Sequence, residues 1–248
     1  MWQALRNELH PKGFELVTVG LDTLGAEGCR TFIEAAHPEH PSLIDQYHRL
    51  AEQFGVINIP SAVWIDEHGM IVRPAEVAPA PPQPGRQRRS PPNLPPETPQ
   101  RLREMMQEAG KIPNDDAEHY HAALRDWVEH GSDSRFAMSS DEVIARSRPR
   151  DANRSLGHAH FELASALEIT GHHGAAIEHF REAHRLVPES WTFRRQAWSL
   201  EPVAAAGPFA RFWQGPKPDD PESWPYEGGW LEDVRKEGAE NYNARWKP

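Results

Sequence analysis

The sequence predicts an α/β domain followed by an all-α region, and three observations carry that prediction. Gly55 to Arg73 reads as strand, tight turn, strand. Ser61 to Asp66 is an apolar run suited to a pleated sheet, Glu67-His68-Gly69 supplies turn chemistry, and Met70 to Val72 begins a second run. Gly157 to Pro188 spaces Leu163, Ala164, Leu167, Gly171, Ala176, Phe180 and Ala183 as two antiparallel helices would, with small residues where they cross. Between the two, Pro74 to Pro99 is too rich in proline for a helix or an inner strand and reads as an extended polyproline-type segment.

Composition narrows the function classes. A chain of 248 residues suffices for one large or two small domains, and no stretch approaches the ~18 apolar residues of a membrane span. A formal charge of -10 argues against a general nucleic-acid binder, because affinity for phosphate needs a positive surface. The single cysteine, Cys29, excludes an intramolecular disulfide and any all-cysteine metal site. Met1-Trp-Gln-Ala-Leu-Arg lacks the apolar core of a secretory signal, so the chain as written is expected in the cytoplasm.

In chain order, Trp2, Leu5 and Leu9 fall at helical spacing and Pro11-Lys12-Gly13 ends that helix. Phe14 to Gly20 reads as a buried strand. Cys29 follows in the first turn of the next helix, where the helix N-terminus and Arg30 would lower a thiol pKa, making it a candidate nucleophile; a small buried residue is the plainer reading. His37-Pro-Glu-His40 invites a metal reading with Cys29, but structural zinc wants four converging ligands and no metal site is expected. Ser42 to Phe54 reads as a helix with Ser42 as N-cap, Asp45 in the capping-box position and Leu43, Tyr47, Leu50 and Phe54 on one face; Gly55 stops it. Pro60 would remove a ladder hydrogen bond from a central strand and belongs at the strand's start or in a bend before it.

On these residues, Gly13 to Arg73 resembles the thioredoxin fold, specifically its TlpA/ResA-like redoxin branch, in which a helix ends in Gly-Val, a cis-proline follows, and an apolar strand closes in Ile-Asp-x-x-Gly. The resemblance implies that Pro60 is cis and faces the active-site cysteines, and that Ile59 offers its backbone to a bound peptide. It implies protein thiols, disulfides or a peptide segment as partners, and no cofactor, since electrons pass through sulfur or selenium. The Trp-Cys-x-x-Cys motif of these relatives has no counterpart here, nor does the strand before it. The expectation is that both lie upstream, for instance behind a selenocysteine codon read as a stop; unpaired neighbouring strands would otherwise be an aggregation hazard.

Beyond the hairpin, Arg86, Arg88 and Arg89 beside proline runs could serve an aromatic groove, although an extended surface crossing is the plainer account. Thr98-Pro99 opens an amphipathic helix (Leu102, Met105, Met106, Ala109) and Asp115 to His130 forms another, which the resemblance identifies as the last helix of the fold. The expected domains are therefore 1-131, with an insertion at 74-111, then 132-200, then a Trp-rich tail at 201-248. The helix pair at 157-188 is similar to a tetratricopeptide repeat, departing at His160 where that repeat usually carries tryptophan. Trp191 to Leu200 would be a third helix, and His172, His173, His179 and His184 fall on turn and outer-face positions. Trp213, Trp224, Trp230 and Trp246 make the tail too aromatic to be left in water, so it should cover the helical domain or a second copy of the chain.

Three functions follow: a thiol-disulfide oxidoreductase with Ile59 and Pro60 as substrate shelf and its nucleophile upstream; a redox-inactive interaction module joining a thioredoxin-like platform to tetratricopeptide-like helices; or a one-cysteine site at Cys29.

Overall fold

The computed structural model describes residues 2-80, 97-113, 116-147, 150-201, 214-216 and 220-248. Arg86, Arg88, Arg89 and Trp213 lie outside the described residues. In chain order the elements are α1 (Trp2–Leu9), β1 (Thr18–Leu21), α2 (Ala26–Ala36), β2 (Ser42–Asp45), α3 (Arg49–Phe54), β3 (Ser61–Ile65), β4 (Ile71–Val77), α4 (Gln100–Lys111), α5 (Ala117–His130), α6 (Ser140–Arg146), α7 (Ala152–Ile169), α8 (His173–Leu186), α9 (Trp191–Ser199) and α10 (Trp230–Glu237). This is an α/β domain with small sheets plus a helical region.

The chain divides into two compact units, one comprising Met1–Arg86, Asp115–Arg150 and Asn243–Pro248, the other Gln87–Asn114 and Asp151–Tyr242. The boundary expected near Gly131 thus falls at Arg150, and α4 belongs to the second unit instead of forming an insertion within the first.

In the first unit β1, α2 and β2 form a parallel crossover, with Thr18 opposite Ser42 and Leu21 opposite Asp45. Two sequence expectations are corrected here. The strand expected over Phe14 to Gly20 is limited to Thr18–Leu21 and is not buried, since Val17 and Val19 are 50% and 38% exposed. The helix expected over Ser42 to Phe54 is a strand followed by a shorter helix. Leu43 and Ile44 pair with β1, and Asp45 ends the strand by accepting the Arg49 and Leu50 N–H groups at 2.9 and 2.8 Å, so its carboxylate caps α3. Gly55, at φ 72°, ends α3 as expected.

β3 and β4 form the antiparallel hairpin, closed where Asp66 accepts from the backbone of His68 and Met70 and Gly69 takes φ 78°. β4 runs past Pro74, which the sequence assigned to the proline-rich segment. The register passes from Ala62 opposite Glu76 to Trp64 opposite Arg73, so Pro74 sits in a bulge where no ladder donor is required. The far edge of β4 is covered by chain from elsewhere in the unit: Val77 N–H donates to Ala244 O at 2.6 Å and Met138 N–H to Val72 O at 3.0 Å. Leu5, Leu9, Trp64, Tyr120, Leu124 and Trp246 fill the core between α1, the hairpin and α5.

The second unit is built on the α7/α8 hairpin. Gly157, Ala164, Ala176 and Ala183 are buried along it and let the two helices approach closely, while Phe161 stacks on Phe193 of α9 with ring centroids 4.3 Å apart. The aromatic tail covers its own chain: Trp224 and Trp230 are buried in this unit, Trp230 Nε1 donates to Tyr242 Oη at 3.1 Å, and Trp246 is buried in the first unit. Among the described residues no helix is long and apolar enough to cross a membrane.

Candidate functional site

The Ile59–Pro60 peptide is cis and leads directly into β3. Asn58 organises the bend. It is 2% exposed, and its Oδ1 accepts the Ile59 N–H at 2.9 Å while its Nδ2 donates to Asn243 Oδ1 at 3.0 Å. Ser61 Oγ donates to the Asn58 carbonyl at 2.7 Å, and the Pro60 carbonyl accepts from Ala78 N–H at 3.1 Å. The Ile59 carbonyl has no hydrogen-bond partner among the described residues, and the residue is 48% exposed. Ile59 therefore presents an apolar side chain and one free acceptor to the surface, with its donor already held by Asn58. Within the described residues β3 pairs only with β4, so its other edge carries no ladder there.

Cys29 does not share this site. It lies in the first turn of α2 as expected, but it packs against β1, in the other sheet, where a Cβ added at Gly20 would come within 2.8 Å of Sγ. Burial pushes its thiol pKa up and the Asp22 carboxylate pushes it further, the opposite of the lowering expected from the sequence. Arg30 offers no compensation, because its guanidinium is 66% exposed and turned toward Glu34 at 3.6 Å. Desolvation and a like-signed neighbour outweigh the helix N-terminus, so Cys29 is held as a thiol. His37 ends α2 in a left-handed conformation and His40 Nδ1 contacts the Pro41 carbonyl, apart from Cys29 in both cases. Among the described residues no three His, Cys, Asp or Glu side chains converge as a metal site.

The second unit holds a polar cluster that sequence reasoning passed over as solvated. His173 Nδ1 lies 2.8 Å from Glu168 Oε2 and its Nε2 3.5 Å from Glu201 Oε2, while Tyr226 Oη donates to Glu201 Oε1 at 3.2 Å. Hydrogen bonding to Glu168 raises the His173 pKa, with the Glu201 charge adding to it. Burial raises that of Glu201, partly opposed by His173. These contacts tie the end of α7, the start of α8, the end of α9 and the segment before α10. The signal for Asn58 was one polar residue between Ile57 and Ile59; Glu201 and Tyr226 carried none, because their meeting depends on how the chain returns.

No protein-family model, curated protein or solved structure matches this chain.

Proposed function

We propose that the first unit is a thioredoxin-like platform that receives an extended peptide at the Ile59-Pro60 bend and along the open edge of β3, in the thiol-disulfide class of protein partners. The observation that carries this reading is the exposed Ile59 with its free carbonyl at the head of a strand whose outer edge has no ladder among the described residues. An extended segment added there gains main-chain hydrogen bonds from the edge and side-chain contact with Ile59. Strand β1, helices α2 and α3, the β3/β4 hairpin and α5 occur in the order expected from the sequence, with the unexpected strand β2 between α2 and α3, and the retained part of that order supports the same reading.

Thiol-disulfide exchange at this bend would need a thiolate other than Cys29, which is buried beside Asp22. For these 248 residues the Cys29 environment favours the non-catalytic form of the reading, a peptide-binding module whose second unit contributes tetratricopeptide-like helices. The test is amide-shift mapping of the full chain with an extended cysteine-containing peptide, reduced and as a disulfide, beside an insulin-reduction assay. Shifts gathered at Ile59 to Ile65 without reductase activity are expected. Shifts elsewhere would remove the peptide platform, and reductase activity abolished by Cys29→Ser would remove the non-catalytic assignment.

A further inference from the structure

Residues 243-248 form no helix or strand, and Trp246 is the one buried residue among them. Within the first unit they are held first by their backbone. The Ala244 carbonyl accepts the Val77 N–H of β4 at 2.6 Å, and the Lys247 carbonyl accepts from Arg73 and, at 3.1 Å, from Arg146. The Lys247 N–H donates to the Glu76 carboxylate. Two side chains add to this. Asn243 Oδ1 accepts from Asn58 Nδ2 at 3.0 Å. The Trp246 ring meets His119 and Tyr120 edge-on, at centroid distances of 4.9 and 5.6 Å, and the Arg73 guanidinium lies 5.6 Å from its centroid.

These contacts divide as they do in peptide recognition. An extended peptide is held through its backbone, which every sequence shares, and selected through a few side chains that enter sites on the receptor. Arg73 and Glu76, 1% and 7% exposed, are charged groups built into β4, and both direct hydrogen bonds to the backbone of Lys247. The fit is incomplete at one atom. Trp246 Nε1 is buried and has no hydrogen-bond partner among the described residues. A buried donor without a partner is destabilising, and water satisfies it once the ring leaves.

We infer that β4 and its neighbours form a peptide-recognition site whose resident ligand is the chain's own Asn243–Pro248 segment, bound in cis and released without unfolding of the first unit. The site takes an extended peptide with asparagine at one position and tryptophan three residues later. Asn58, which also holds the Ile59 N–H, reports its occupancy at the bend before β3. The site does not rest on the peptide platform proposed at that bend, because neither Ile59 nor β3 makes any of the backbone contacts given above. Covalent attachment gives the segment a high effective concentration, so a peptide in trans competes only once the segment's own contacts are weakened.

The test uses the full chain. In the wild type, native-state hydrogen exchange should give the Val77 and Lys247 amides protection at least about tenfold lower than that of Ala123 and Leu124, which lie in α5 within the same core. Asn243→Ala combined with Trp246→Ala should release the segment. The N-acetylated peptide Asn-Ala-Arg-Trp-Lys-Pro should then bind one per chain, at least about tenfold more tightly than it binds the wild type. Binding should return the Asn58 side-chain amide and the Ile59 amide toward their wild-type shifts, and the peptide with alanine in place of its tryptophan should not bind. Equal protection at all four amides would overturn the inference whether or not the variant folds. So would a variant folded by far-UV circular dichroism that takes up no peptide, or takes up the alanine peptide equally well. A wild-type dimer that dissociates on Trp246→Ala would assign the segment to a second copy and overturn its occupancy in cis.

Discussion

Trp64 Nε1 donates a hydrogen bond of 3.0 Å to Tyr120 Oη, joining the centre of β3 to α5 inside the core of the first unit. Both residues are buried, at 4% and 2% exposure, and burial pushes the Tyr120 phenol up to about 12, so it stays neutral through the physiological range. Trp64 also stacks on Trp127 and faces the Arg73 guanidinium, which pairs with Glu76 and donates to the Phe136 carbonyl. The hairpin that follows Ile59 and Pro60 is thus held from its core side.

Tyr120→Phe should keep the ring packing and strip the acceptor from a buried indole N–H, a loss of about 1–3 kcal/mol. The expected outcome is a lower denaturant midpoint with an unchanged slope. A midpoint equal to wild type would show that the bond adds nothing to the unit's stability.

How much was legible in the sequence follows from how local each signal is. The β3/β4 hairpin and the α7/α8 pair are made by neighbouring residues, and turn chemistry and helical spacing revealed both. Ser42 to Phe54 misled because Leu43, Tyr47, Leu50 and Phe54 do share a helical face. What makes Ser42–Asp45 a strand is its parallel partner Thr18–Leu21, across the whole of α2. Asp45 was recognised as a capping residue, but placed inside a helix that in fact starts after it. At the candidate site, Ile59 and Pro60 were legible through resemblance, whereas the Asn58 bond to Asn243 depends on the last residues returning to the first unit. The His160–His179 hydrogen bond, 2.8 Å between the Nδ1 atoms, depends on the register of α7 and α8, which spacing along one of them does not report.

Gly157→Ala tests that register. In an exposed helix the change would gain roughly 1 kcal/mol of propensity. Here the new Cβ meets Val187, a stiff β-branched residue 1% exposed, and overpacking costs about 1–3 kcal/mol. Net destabilisation is expected, and Val187→Ala in the same chain should recover part of it, giving a non-additive pair in thermal or denaturant unfolding. Independent, additive effects would mean that the helices can shift apart.

Cys29 should behave as a protected thiol. Burial and Asp22 both raise its pKa, so alkylation of the folded protein should be slow and its rate should inflect above the ordinary cysteine value of about 8.5. Denaturant should restore ordinary reactivity. An inflection well below that value in the folded chain would reinstate Cys29 as a nucleophile.

His173 supplies the pH dependence of the second unit. Its folded pKa is raised, first by the hydrogen bond to Glu168 and then by Glu201, so its contribution is fully present below the unfolded value of about 6.5 and is lost as pH rises through the higher folded value. Glu201 has the same sign in a more acid window. Its folded pKa is also raised, chiefly by burial, so its contribution fades from about 4.3 upward as the carboxyl ionises. The His173 side chain is 41% exposed, so solvent screens the interaction and the effect should be modest. His173→Gln keeps a donor toward Glu168 but cannot carry charge. The wild-type unfolding midpoint should therefore decline between about pH 6 and 8 more steeply than that of the variant, and the His173 ring resonances should titrate above about 6.5. Parallel pH profiles for the two proteins would show that the cationic bridge between Glu168 and Glu201 does not contribute to stability.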